Sequence, residues 1–594
     1  MNFNEVQKPS RYVGGEFGLP DMNMRASSTF CMCFPDTYEV GMSNLGIRIL
    51  YYILNQQPQL RCERCFAPWG DYAQYLKEND LPLASIETKM PLKNFDMLGF
   101  SLSYELAYSN VLYMLDLAGI PFRSKDRDEN WPLLIAGGPC VVNAEPVADF
   151  FDIINVGEGE EMLKNIALAY DENKGKMSKK EFLQYVNDNI EGVYVPVLTS
   201  FEQNENGVVT KINTPHKTKR VYVRNMDESY FPNKAIVSNI ELVHDRAVAE
   251  LFRGCANGCR FCQAGFIYRP VRERSVEKMT DICTNLIANT GYDELSLNSL
   301  STGDYSGLKQ LIQNLQPLVK EKKVRLALPS LRLDTFDGEF AQNNRLSSLT
   351  FAPEAGTQRL RDVINKNVTM DDIDSSVISA FERGFSTVKL YFMMGLPTET
   401  MEDIDGICEL AYHIKDLFYK HRKNKKDIKI NISCATFIPK PHTPFQWEAF
   451  DSYENISQKQ AYMRQKLRNR NISLSWHDYE SSTLEAVFAR GDRRLANVIE
   501  QAYKNGAKFD GWTEHFKFDA YMQAFEQFGL DYKQYLRERN EDEILPWDYL
   551  DMGVDKNFLL RERHKAYQAK CTLSCNKQCN ACGLQREGLC NVNR

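Results

Sequence analysis

The sequence predicts an α/β protein in three parts: a doubly wound N-terminal sheet of the Rossmann or flavodoxin kind, a partial (β/α)6 barrel of the TIM type, and a mixed α C-terminal extension. Three observations predict it. Strand-like and helix-like segments alternate between residues 28 and about 165. The alternation returns with a longer stride from 248 to about 440. In that second stretch Gly, Pro and polar residues gather where each strand ends. Such alternation implies parallel strands joined by helices, and the ligands of these sheets and barrels lie off the carboxyl ends of the strands. A chain of 594 residues also exceeds what one core can organise.

In the first part, residues 1–165, "STFCMCFP" reads as a buried strand and "NLGIRILYYILNQ" as a helix. "FDMLGFSLS" is a second strand, followed by a helix through "NVLYMLDLAG". "WPLLIAGGP" and "FDIINVGEGE" are two more strands, each running into a Gly-rich turn. Residues 166–245 are more polar and read as a connector, with a hairpin in "GVYVPVLTSFEQNENGVVTKINTP". The barrel, 246–445, has six candidate strands: "VAELFRG", "DELSLNSL", "VRLALPSL", "SSLTFAPE", "TVKLYFMMG" and "KINISCATFIP". Their ends carry three cysteines, then "STGD", "SLR", "PEAGT", "GLPTET" and "PKPHTPF". Residues 446–570 mix helices with irregular segments, and 571–594 form a Cys-rich tail.

Composition is that of an ordinary soluble protein, 43% hydrophobic and 25% charged. The net charge of -7 argues against an extended nucleic-acid surface, while leaving a local basic groove open. The first residues have no apolar core of a secretory signal. The most membrane-like stretch, "FDMLGFSLSYELAYSNVLYMLDLAGIPF", carries Asp96, Glu105 and Asp116, which a spanning helix would not. A cytoplasmic location is expected. Sixteen cysteines in such a chain should be thiols or thiolates rather than disulfides. Eight of them form two tight groups, at 255, 259 and 262 and at 571, 575, 579, 582 and 590, a clustering that favours metal ligands. Cys62 and Cys65, a C-x2-C with no second pair nearby, read as incidental.

Cys255, Cys259 and Cys262 supply three thiolates, where a structural zinc or a closed [4Fe–4S] site takes four. Three ligands at a barrel mouth leave one iron open. The segment "CANGCRFC", with aromatic Phe261 before its last cysteine, resembles the signature of radical S-adenosylmethionine enzymes, and the likeness covers roughly residues 245 to 445. The resemblance implies a [4Fe–4S] cluster on the three cysteines, with S-adenosylmethionine chelating the fourth iron. One electron would then cleave the sulfonium to methionine and a 5′-deoxyadenosyl radical. It also implies that Thr302, Gly303 and Asp304 hold the methionine amino group, with Asp in place of the usual Glu. Arg332 would neutralise the carboxylate, Glu354 would hold the ribose, and Phe437 and Ile438 would contact adenine through the backbone. An ion pair closing the barrel mouth is the bland reading of Arg332 and Glu354.

In the front domain "FPDTYEVGMSNLG" resembles the D-x-H-x-x-G loop of cobalamin-binding domains through Asp36, Tyr38 and Gly41, with tyrosine in place of histidine. No histidine precedes His216, so none from this domain could ligate cobalt. Ser101 in "FSLS" and Gly137–Gly138 in "IAGGP" match the rest of that pattern, and "GEGE" is typical of radical enzymes with such a front domain. Bound cobalamin and an emptied domain covering the barrel both remain open. Nearly the entire chain resembles an uncharacterised radical S-adenosylmethionine family with a cobalamin-binding-type front domain and a C-terminal extension.

The tail repeats the spacing in Cys575, Cys579 and Cys582, with Ala581 where the first motif has Phe261 and too little chain beyond it for a barrel. Cys571 or Cys590 could close a four-cysteine site, holding an auxiliary iron–sulfur cluster or zinc. The expected function is reductive cleavage of S-adenosylmethionine for methylation or rearrangement of an unknown substrate, with a flavodoxin or ferredoxin as reducing partner. A methylthiotransferase-like enzyme modifying RNA or protein with an auxiliary cluster is the runner-up. A non-catalytic redox or cobalamin sensor is the reading from a different class.

Overall fold

The fold is described from a computed structural model, for residues 6–328, 349–422, 426–588 and 590. The N-terminal sheet has strands β1 (Ser28–Phe34), β2 (Leu60–Phe66), β3 (Met97–Ser101), β4 (Leu133–Gly137), β5 (Ile153–Asn155) and β6 (Val193–Tyr194), in the order β2-β1-β3-β4-β5-β6. Only the last pair is antiparallel. The order reverses between β1 and β3, the switch point at which flavodoxin-type sheets bind ligands.

The expected strands are β1, β3, β4 and β5. The sequence reading missed β2 because its "LRCERCF" is charged. Those charges are buried in pairs: Arg64 lies between Glu16 and Glu87, and the Glu63 carboxylate accepts from Ser85 and Thr88. Cys62 and Cys65 of this strand belong to opposite cores, so they cannot share a metal.

Helices α1 (Tyr38–Ser43), α2 (Leu45–Asn55), α3 (Gly70–Glu78), α4 (Tyr108–Ala118), α5 (Gly159–Asn173) and α6 (Lys179–Asn189) follow. The last two occupy the start of the segment read as an irregular connector. Their polar composition hid them, although α6 opens with a capping box, Ser178 and Glu181. The expected hairpin is present as β7 (Ser200–Gln203) and β8 (Val209–Asn213), and β9 (Thr218–Lys219) follows it.

The barrel strands form two parallel arcs. The first is β10 (Ala247–Glu250), β13 (Glu294–Asn298) and β14 (Arg325–Ala327); between β10 and β13 come the short antiparallel strands β11 (Phe252–Arg253) and β12 (Arg272–Glu273). The second is β15 (Leu349–Glu354), β16 (Thr387–Met394), β17 (Lys429–Thr436) and β18 (Ile472–Trp476). All six expected barrel strands are among them. β18 is a seventh, paired parallel to β17 from within the segment read as extension. The outer helices are α7 (Ala264–Ile267), α8 (Val276–Thr290), α9 (Leu308–Lys322), α10 (Gln358–Val363), α11 (Met370–Glu382), α12 (Met401–His421) and α13 (Tyr453–Lys466).

The rest of the chain turns back over both domains as α14 (Tyr479–Arg490), α15 (Leu495–Lys504), α16 (Phe518–Gln527), α17 (Lys533–Leu536), β19 (Leu550–Asp551) and α18 (Lys556–Tyr567). Leu484, Phe488, Val498, Ile499 and Tyr521 join the core on one face of the N-terminal sheet, while α2, α5 and α6 cover the other. Burial at about 1.5–3 kcal/mol per large apolar side chain makes this return a main source of cohesion. Among the described residues no helix is long and apolar enough to cross a membrane.

Candidate functional site

The strand β10 leads through Gly254 into the first cysteine loop, which β11 and β12 close at its base. Gly254 has φ +85, and a side chain there would meet the Pro270 carbonyl oxygen at 2.3 Å, so glycine is required. The Cys262 amide donates to the Cys259 carbonyl (3.1 Å) and the Gly265 amide to that of Cys262 (3.1 Å), winding the loop into α7. All three thiols are half-exposed by residue. Burial of the Cys262 sulfur, followed by the nearby Cys259 and Cys255 thiols, pushes its pKa up to about 12. The three are therefore neighbours, and among the described residues no group of Cys, His, Asp or Glu forms a ready single-ion site around them. Three adjoining thiols without a fourth protein donor fit an open cluster better than a closed zinc.

Two residues of the same loop face inward and fix it. The Arg260 guanidinium donates to the carbonyls of Val363 (2.7 Å) and Lys570 (2.7 Å) and pairs with Glu562 at 3.1 Å. Phe261 packs against the cluster that contains Ile364, Leu396 and Phe437.

The structure brings most of the other expected barrel residues to this loop. Thr302, Gly303 and Asp304 form a short 3-10 turn after β13. Asn257 of the cysteine loop donates to Asp304 Oδ2 (3.1 Å) and lies 3.7 Å from Cys255 Sγ. Thr302 is buried, its hydroxyl against the Leu297 carbonyl, which makes it part of the turn's frame. Glu354, at φ +67, accepts from Lys366 (3.2 Å), whose charge also reaches Cys262. Phe437 is buried and its amide donates to the Met394 carbonyl (2.8 Å), while Ile438 is half-buried. Arg332 lies outside the described residues.

Beside Gly254 opens a cavity of about 560 Å³ shared by the two domains. Its floor is apolar, from Met32, Ile49, Leu50, Ile135 and Leu163 under α2 and α5. Its rim is polar, from Asn44, Ser101, Ser103, Asn155 and, on the barrel side, Asn298 and Ser299. Gly137 and Gly138 line it too; Gly138 has φ +109 and would press a side chain onto the Leu102 carbonyl at 2.6 Å. Asn155 is buried, and its Oδ1 has no protein partner. A buried acceptor without a donor is costly, so this one suits a ligand's N–H or O–H.

The other half of the cobalamin-type pattern is placed differently. Asp36, Tyr38 and Gly41 do not line the cavity. The Tyr38 hydroxyl donates to Glu16 (2.8 Å). Asp36 accepts from the indole of Trp512 (3.1 Å), and Gly41 is packed against the Phe66 ring. On the opposite face of the sheet from the cavity floor the returning chain packs against this loop: the Phe509 amide donates to Asn110, and Asn110 donates to the Pro35 carbonyl. These three residues make packing and polar contacts outside the cavity.

The sequence reading used "GEGE" only as a family likeness and assigned it no site role. Here Glu160 pairs with Arg253 (2.6 Å), and Glu158 with Arg272 (2.8 Å) and Arg253 (3.3 Å). Burial alone would raise the Glu158 pKa, but the Arg253 and Arg272 guanidiniums hold it below the usual carboxylate range. The front domain is thus bolted to the base of the cysteine loop. Two Glu residues flanking a glycine, and two Arg residues flanking the cysteines, were the available signal. His442 is buried with its Nε2 on the Val142 carbonyl (2.9 Å), a structural contact between barrel and front domain.

Residues 46–196 match the N-terminal domain of radical SAM proteins, and residues 249–411 match the radical SAM superfamily. An uncharacterized protein of Methanocaldococcus jannaschii, MJ0966, is 29% identical over 504 residues, covering 84% of this chain and 96% of the relative. The ribosomal protein uS12 methylthiotransferase RimO of Treponema denticola is 25% identical over 199 residues, covering 28% of this chain and 42% of its own length. Among solved structures, the radical S-adenosylmethionine methyltransferase TsrM of Kitasatospora setae, with cobalamin and a [4Fe-4S] cluster bound, overlaps 68% of this chain and 74% of its own. That overlap has a TM-score of 0.44 and 15% identity.

Proposed function

This chain belongs to the radical SAM superfamily, and from that premise we propose that it methylates an unidentified substrate in the cavity between its front sheet and its barrel, with cobalamin as second cofactor. The observation that carries the reading is the cavity itself. It joins the carboxyl edge of the front sheet to the barrel strand ends and adjoins the cysteine loop at Gly254.

Cys255, Cys259 and Cys262 would hold the [4Fe–4S] cluster, which when bound supplies the electron for cleaving S-adenosylmethionine. The chain's own residues position and seclude this chemistry. Arg260 and Phe261 lock the loop, Asn257 ties it to the Asp304 turn, and Lys366 places a positive charge beside Cys262. Positive charge near thiolates favours their ionised form.

The cavity suits one end of a cobalamin in its chemistry. An apolar floor accepts a flat aromatic end, while Ser101, Ser103 and the unpartnered Asn155 oxygen meet hydroxyl and amide groups. With Tyr38 bonded to Glu16 and away from the cavity, the Asp36–Gly41 loop supplies no ligand to cobalt.

The test is anaerobic reconstitution with iron, sulfide and hydroxocobalamin, followed by dithionite and S-adenosylmethionine. Retained cobalt, lost in Asn155→Leu, together with S-adenosylhomocysteine as a product, is the expected result. Formation of 5′-deoxyadenosine without cobalt retention would overturn the cobalamin reading and leave the cavity to the substrate.

A further inference from the structure

The tail is not a free end. The Cys575 amide donates to the Ala256 carbonyl (2.9 Å), inside the first cysteine loop. The Thr572 amide donates to Asn365 Oδ1 (2.7 Å), and the same Asn365 donates to the Gly258 carbonyl (3.0 Å). The second cysteine motif is therefore docked edge-on against the first.

Within the tail the cysteines divide. Cys582 and Cys590 share an apolar cluster with Phe266, Trp447, Trp547 and Phe558. Cys579 and Cys575 lie on the same short loop, three and seven residues before Cys582, although among the described residues the sulfurs form no ready single-ion site. Cys571 is elsewhere: its sulfur lies 3.4 Å from Asp362 and near Arg260. Backbone and side-chain N–H groups already point at the sulfurs, from Ala581 (3.3 Å) and Gln585 to Cys579, and from Asn580 (3.6 Å) to Cys575. Donors of this kind surround metal-bound thiolates.

Arg269 is the independent observation. It is 3% exposed, and its guanidinium lies over the Phe266 ring. Two of its nitrogens donate to the first loop, at Gly265 O (2.7 Å) and Asn257 O (3.1 Å). The third, Nη1, is buried without a protein partner. The guanidinium also lies over the Phe558 ring, at 5.8 Å, in the apolar cluster that holds Cys582 and Cys590. A buried guanidinium nitrogen without an acceptor is costly, and metal-bound thiolates would supply an acceptor.

We propose that Cys575, Cys579, Cys582 and Cys590, and not Cys571, hold a second iron–sulfur cluster, with Arg269 as the buried donor between it and the first cysteine loop. The site stands independently of the methylation reading, since it requires neither cobalamin nor turnover.

The experiment removes the first site with Cys255→Ala, Cys259→Ala and Cys262→Ala together, in the full chain purified and reconstituted without oxygen. Iron, sulfide and zinc are then counted per chain, and the reduced sample is examined by electron paramagnetic resonance. Equal iron and sulfide, about four of each for a cubane, are expected to remain. They should be lost on adding Cys590→Ser and retained on adding Cys571→Ser. Arg269→Gln should shift the signal without removing it. One zinc without sulfide, no metal, or dependence on Cys571 in place of Cys590 would overturn the proposal. Should the triple variant not fold, Mössbauer counting on the wild-type chain decides: about eight irons support the site and about four sink it.

Discussion

Two loops of this chain carry the spacing C-x3-C-x2-C, and almost everything around them differs. The first, at 255–262, has three neighbouring thiols and a cavity beside it. The second, at 575–582, shares with Cys590 an apolar cluster roofed by Phe266, Trp447 and Phe558. Spacing determines how a short loop can wrap around a metal; surroundings determine whether the metal stays open to other ligands. Open coordination is what a reaction centre requires, and closed coordination suits a fixed centre.

The contrast is broken or sharpened most strongly by single thiol removals. Cys259→Ala should abolish 5′-deoxyadenosine and S-adenosylhomocysteine formation altogether. Cys590→Ser should leave cleavage within about tenfold of wild type, the scale of outer-shell changes at metal sites. Equal loss in both variants would mean that the two loops make one reaction centre.

The next largest effect concerns docking. A chain ending at Lys570 strips the first loop of the Cys575 amide that donates to Ala256, and strips Asn365, which holds Gly258, of the Thr572 amide. It also exposes Arg269 and the aromatic roof. At about 1–3 kcal/mol for each buried group left unpaired, a loss of roughly 5 kcal/mol is expected, with iron leaving the first site as well. Unchanged iron content and melting temperature in the truncated chain would show that the tail only rests on the loop.

Arg260 tests the same dependence from the other side. Its buried pair with Glu562 and its bonds to three carbonyls link the first loop to α10, to α18 and to the start of the tail. Arg260→Met leaves Glu562 buried without that partner and should cost about 3–5 kcal/mol by denaturant melts. A cost below about 1 kcal/mol would mean that the loop is held by its cysteines alone.

The alternation of strands made both domains legible, and the order of motifs along the barrel made the first site legible, because parallel βα units carry their functional residues at strand ends. Charged β2 was not legible: its pairing partners, Glu16 and Glu87, are remote in sequence. Nor was the return of the C-terminal helices to the front sheet, since an amphipathic helix does not name the surface that it covers. The Asp36–Gly41 loop shows the opposite failure. Its letters match a cofactor motif, while its Asp36 accepts from Trp512, 476 residues away, a contact that the motif does not announce. Cys571 and Cys590 were equivalent by spacing and are separated only by the fold.

Acid offers a gentler probe of the seam between the barrel and the front domain. His442 is buried on the Val142 carbonyl, and burial, with the Arg220 charge acting in the same sense, lowers its pKa to about 4. Asp551 opposes this, as does the bond to Val142. The unfolded imidazole titrates near 6.5, so between pH 4 and 6.5 the unfolded chain binds the extra proton. Stability is therefore full above about pH 6.5 and falls as pH drops, by up to about 3 kcal/mol at pH 4. Urea melts at pH 4.5 and 7 should show this loss, and His442→Gln should remove that part of it. A profile unchanged by the substitution would exclude His442 as its source, and the seam would then have to be weakened elsewhere.

The smallest effect is the most discriminating about how the tail is held. Arg586 pairs with Asp555 at 2.9 Å, but the two side chains are 77% and 36% exposed. An exposed pair contributes up to about 1 kcal/mol and is screened by salt. The Asp555 amide, by contrast, donates to the Cys582 carbonyl (2.8 Å), at the edge of the aromatic roof. Arg586→Gln should therefore lower the melting free energy by less than about 1 kcal/mol and leave the tail's iron in place. If that substitution released the iron, the tail would be held by surface charge and not by burial. The closed surroundings that separate it from the first loop would then have no energetic basis.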